Sequence, residues 1–87
     1  MKTEKMYFTV RETQDEGHHV ATIQANTDEE LQSKLIEAFT SHFDQSVEIE
    51  DYPKISDLQY YEYKDILVNI KDDNYPCYCE IVRTCVY

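Results

Sequence analysis

Six side chains have types suited to chemistry: His18, His19, His42, Cys77, Cys79 and Cys85. On a β-strand, Cys77 and Cys79 would present their thiols on one face, and Cys85 shares their parity. That arrangement would begin a metal or redox site, but it lacks the paired C-x-x-C knuckles, or the C-x-x-C with H-x-x-x-H, that make zinc persuasive. Cysteine is among the most frequently buried residue types and packs as a small hydrophobe, so the three are expected in the core. A nucleophilic Cys79 would need a helix N-terminus or a cation to stabilise its thiolate, and Arg83 is the only cation near it in sequence. His18-His19, beside Gly17, suits an exposed hairpin shoulder. The carboxylate pairs Glu48/Glu50 and Asp72/Asp73 fall in loop and turn segments, and Asp72-Asp73-Asn74 is turn composition. A single glycine cannot build a phosphate-cradling loop. The reading is a chain with no catalytic, metal or cofactor site.

Charge and tyrosine are more informative. Eighteen Asp+Glu against eight Lys+Arg give a formal net charge of -10. Sequence-independent nucleic-acid binding needs clustered cations to displace counterions, and attachment to anionic lipid needs a polybasic patch, so neither is expected. The acidity either keeps a small domain dispersed or imitates the phosphate array of a nucleic acid. Glu48, Glu50, Asp51 and Asp57, flanked by Asp44, Glu62 and Asp65, are the residues for such mimicry. There are eight tyrosines and no tryptophan. Tyrosine offers a stiff contact surface with a water-tolerant hydroxyl, which enriches it at interfaces. Tyr60-Tyr61-Glu62-Tyr63 in a strand would place rings on both faces, with Tyr61 and Tyr63 directed away from the helix.

The elements that must position these residues are few. The chain has 87 residues, of which Leu, Ile, Val and Phe make up 20, enough for one modest core and one domain over 1–87. Residues 5–13 and 18–25 alternate apolar and polar around Gly17, as in a β-hairpin. Thr27 with Glu30 reads as a capping box, and Leu31, Leu35, Ala38, Phe39 and Phe43 recur at three- and four-residue steps. These predict an amphipathic helix over 28–43. Residues 44–57 form an acidic loop, with Pro53 blocking a long helix and room for a short edge strand at 47–49. Residues 58–71 and 75–87 are rich in tyrosine and β-branched types and read as a second antiparallel hairpin. A strand over 58–71 exceeds the usual length, which predicts a bulge or bend near Lys64-Asp65. The expected fold is α+β: a four-stranded, mainly antiparallel sheet with one amphipathic helix on one face, in the order β-β-α-β-β. No window approaches a membrane span, the first ten residues do not read as a signal peptide, and three clustered cysteines do not form a secreted disulfide framework. A cytoplasmic location with reduced thiols is the expectation.

The stretch from Tyr7 to Val10, the Asp15-Glu16-Gly17 turn, Val20 to Ile23, and Thr27-Asp28-Glu29-Glu30-Leu31 leading into a helix resembles the β-β-α opening of HicB-like antitoxin domains. The resemblance covers about half the chain. The proline- and glycine-bearing segment that precedes the helix in that family is missing here, and no DNA-binding tail follows. It implies a shared architecture and carries over no functional residue.

Both parities of the last two strands carry apolar weight, and one helix covers only one face of a sheet. The second face therefore needs a cover: the 44–57 loop, a second copy of the chain, or another macromolecule. The functional expectation is a non-enzymatic interaction or regulatory module that binds a protein partner, or itself as a homodimer, through Tyr61 and Tyr63. The alternative is an acidic inhibitor that occupies the basic groove of a DNA- or RNA-binding protein through Glu48, Glu50 and Asp51.

Overall fold

The structure, a computed structural model, describes residues 5–13, 18–71 and 76–84. Its elements are β1 (Tyr7–Glu12), β2 (His19–Gln24), α1 (Asp28–Phe43), β3 (Val47–Ile49), a single 3-10 turn (Ile55–Asp57), β4 (Lys64–Ile70) and β5 (Cys77–Thr84). The sheet is antiparallel throughout and runs β2-β1-β5-β4-β3. The class is α+β as expected, but with five strands rather than four. The additional strand is the short edge segment within the acidic loop, where Val47 and Ile49 face Ile70 and Val68 across the ladder. Gly17 and Asp72-Asp73-Asn74, the expected turn residues, lie outside the described residues, as does Cys85.

Helix α1 starts where the capping residues place it. The Glu30 amide donates to Thr27 Oγ1 at 3.1 Å, satisfying one orphan donor of the first turn, and Glu30 Oε1 reaches back past the cap to accept from the Asn26 backbone amide at 3.0 Å. Its buried stripe is Leu31, Leu35 and Phe39. The helix ends at Asp44, whose φ of 55° is the left-handed turn that Asp tolerates better than most residues.

The stripe packs on the sheet face formed by Phe8, Val10, Ile23, Ile66, Val68, Cys79 and Ile81. The 50–58 segment joins this same core. Leu58 and Pro53 are buried, Tyr52 and Ile55 pack against the cluster, and the Ile55 amide donates to Asp28 Oδ1 at 2.8 Å at the start of the helix. Of the covers considered for the sheet, the acidic loop completes the lid on the helix side. The opposite face is left uncovered by it.

The expected strand over 58–71 is corrected. Only Lys64–Ile70 is strand, and residues 59–63 form a tight turn closed by a bridge between Gln59 and Glu62. The break falls where excess length predicted a bend, but it removes Tyr61 and Tyr63 from the strand. The physical cause is Tyr61, whose φ of 65° is incompatible with a ladder.

Thr27→Ala should cost about 1 kcal/mol of unfolding free energy through the lost cap. Leu35→Ala should cost about 2–5 kcal/mol through the cavity it opens. Urea titrations followed by far-UV circular dichroism measure both.

Candidate interaction surface

The pairing register assigns the face turned away from α1. Arg11 on β1 stands opposite Glu80 on β5, Glu80 opposite Asp65 on β4, and Leu67 opposite Tyr78. Carboxylates directly opposite one another repel. The Arg11 guanidinium offsets this by pairing with Glu80 through Nε. The same guanidinium lies over the Tyr63 ring, with Cζ 3.9 Å from its centroid. Arg83 lies over the Tyr60 ring at 4.8 Å. The two stacked cations clamp residues 60–63 onto the sheet, each contact contributing about 0.5–1 kcal/mol at this exposure.

Between the clamps the chain turns through Tyr60 and Tyr61, whose ring centroids are 6.4 Å apart. Tyr61 is 96% exposed, and its positive φ sits at the second central position of a turn, where Gly or Asn is favoured. An L-residue with a full side chain held there costs roughly 1–2 kcal/mol. Tyr78 is 53% exposed, and Tyr60 and Tyr63 are about two-fifths exposed at 43% and 41%. Four of the five exposed large hydrophobic residues among those described are thus tyrosines, in the 60–63 turn or on β5.

Sequence reasoning selected Tyr61 and Tyr63, and the structure places both in this turn. It missed Tyr60, Tyr78 and Arg11. Arg11 was legible only as an alternating polar position on β1, because its partners Glu80 and Tyr63 lie 69 and 52 positions further along the chain.

The acidic candidates lie elsewhere. Glu48 is on the edge strand β3 opposite Asn69, roughly 20 Å along β4 from the tyrosine turn at the usual rise per residue. Glu50 and Asp51 follow in an exposed bend. None of these three is in an ion pair among the described residues, whereas Asp57 pairs with Lys64 at 3.6 Å.

The reactive residue types do not converge. His42 bonds Glu12 at 2.6 Å, tying the end of α1 to the end of β1, while His18 and His19 are exposed at the start of β2. No group of three or more His, Cys, Asp and Glu that could hold a metal occurs among the described residues. Cys77 and Cys79 do share one face, with sulfurs 4.0 Å apart. Burial, then the neighbouring Cys77, and last the charge of Glu12 push the Cys79 thiol far above the ordinary thiol range. It therefore stays protonated and is a poor nucleophile. A shallow depression of about 410 Å³ at the β3–β4 end is lined, among the described residues, by Ser46, Val47, Glu48, Asn69, Ile70 and Lys71, with one cation and one carboxylate.

No family model, curated protein or solved structure matches the chain. No helix among the described residues is long and apolar enough to cross a membrane.

Tyr61→Gly should raise unfolding free energy by about 1 kcal/mol in urea titrations, since glycine adopts positive φ without the steric cost. The raised Cys79 pKa also makes stability depend on pH. The unfolded thiol ionises above about pH 8.5 while the folded one keeps its proton, so the folded state then holds more protons. Stability present below that pH is lost as pH rises, by at most about 1.4 kcal/mol per pH unit. Denaturant midpoints between pH 7 and pH 10 should fall for the wild type and fall less for Cys79→Val.

Proposed function

We propose that this chain is a small non-enzymatic protein-interaction module that contacts its partner through the tyrosine turn at residues 60–63, with Tyr78 on the adjoining strand. The observation that carries the reading is Tyr61: a large aromatic side chain, almost wholly exposed, in a backbone conformation that opposes stability. Backbone strain of this kind persists where surrounding contacts over-determine it, and it clusters at binding and catalytic sites. Here the Arg11 and Arg83 clamps supply the contacts. Exposed tyrosines bury a large area on binding at little conformational cost, which suits them to the centre of an interface. The partner's facing surface is apolar at its centre, to receive the exposed rings of Tyr60, Tyr61, Tyr63 and Tyr78.

The alternative, an acidic nucleic-acid mimic, draws support from the exposure of Glu48, Glu50 and Asp51 and their lack of ion pairs. The two readings use surfaces at opposite ends of β4 and separate cleanly. Against a partner identified by affinity capture, Tyr61→Gly and Tyr63→Ala should each weaken binding by tenfold or more, about 1.4 kcal/mol in isothermal titration. Neutralising Glu48, Glu50 and Asp51 together should leave the affinity nearly unchanged. The reverse pattern, with affinity collapsing as salt rises, overturns the tyrosine reading in favour of the acidic one.

A further inference from the structure

We infer that the free edge of β2 is a self-pairing edge, through which two copies of the chain join into one continuous antiparallel sheet. β2 is an outer strand of six residues, His19–Gln24, and none of the described residues pairs with its outer side. The Ala25 amide donates to the Met6 carbonyl at 3.0 Å, which sets the alternation along the regular part of the ladder: residues 21 and 23 bond inward to β1, Thr22 and Gln24 direct their amides and carbonyls outward, and Val20 falls at the bulge where the register with β1 shifts. Consistent with this, the Gln24 carbonyl accepts from Lys34 Nζ at 2.6 Å on the outer side. A carbonyl oxygen has two lone pairs, so this contact leaves room for a second donor.

Two features single out a second copy as the occupant. First, β2 is the one strand with no Asp, Glu, Lys or Arg, in a chain of net charge -10. Two copies can meet here without opposing carboxylates, whereas the other edge, β3, is three residues long and carries Glu48, with Glu50 and Asp51 directly after it. Short charged edges resist pairing, and longer uncharged β-branched ones invite it. Second, the outward groups are self-complementary. An antiparallel two-fold centred on Thr22 sets Thr22 against its own equivalent, exchanging the outward amide and carbonyl of each copy, with the bulge at Val20 marking one end of the paired segment. The cleft of about 320 Å³ beside the strand is walled by α1 residues that include Lys34 and Glu37, so each copy brings one cation and one carboxylate to the seam. The tyrosine turn is not part of this edge, and the inference stands independently of the proposed function.

The test is sedimentation velocity over a concentration series, paired with amide hydrogen exchange. The wild type should pass from monomer to dimer, and protection at Thr22 and Gln24 should rise with concentration while that at Ala21 and Ile23 stays high throughout. Thr22→Pro removes an amide that β1 does not use, so the fold should persist while the dimer weakens by about 100-fold or more. Thr22→Asp sets two carboxylates face to face and should do the same; Thr22→Val keeps the backbone pairing and should retain the dimer. A wild type that stays monomeric at all concentrations overturns the inference, whether the edge is then vacant or taken by a foreign strand. A dimer that survives both Thr22→Pro and Thr22→Asp overturns it as well.

Discussion

Covering one face of a five-stranded sheet is the constraint on which the structure depends. A helix of 16 residues is about 24 Å long and 10 Å wide, whereas five strands span roughly 20 Å side to side. The helix alone leaves part of the apolar face bare. The chain solves this with the 50–58 segment, which inserts Pro53 and Leu58 and is tied to the helix by the Ile55 amide on Asp28 Oδ1. Proline serves this purpose well, because a buried residue without an N–H leaves no donor to satisfy. The acidic loop is therefore half structural: its apolar residues close the core, and its carboxylates remain in water.

Closing the core on one side leaves the other side to chemistry of a different kind. There the sheet presents Arg11 between Glu80 and the Tyr63 ring, with Asp65 beyond. One guanidinium satisfies a carboxylate through its edge and an aromatic ring through its face, which a lysine ammonium cannot do. The result is a platform that holds the 59–62 turn in place. The unfavourable φ of Tyr61 is tolerated because both flanking tyrosines are fixed from the sheet side.

The two sheet edges are treated differently as well. One is short and bordered by acids; the other is longer, uncharged and rich in β-branched residues. The net charge of -10 opposes self-association across the acidic parts of the surface, and the contrast between the edges is what the proposed self-pairing of β2 rests on.

Helix α1, its cap and the β1–β2 pairing were legible from the sequence because they depend on contacts a few residues apart: Thr27 with Glu30, and Leu31 with Leu35 and Phe39. The break near residue 64 was legible as excess strand length, but not its form, since the turn is held by Arg11 on Tyr63 and Arg83 on Tyr60, residues far apart in the chain. The standing of Val47–Ile49 as a full fifth strand depended on Val68 and Ile70 offering it a ladder. Composition by itself determined the acidity, the abundance of tyrosine and the absence of a phosphate-cradling loop. Only the tertiary structure decided which tyrosines are exposed, which acids stand apart from them and which edge lies open. Those properties belong to pairings between residues distant in sequence, and no local spacing encodes them.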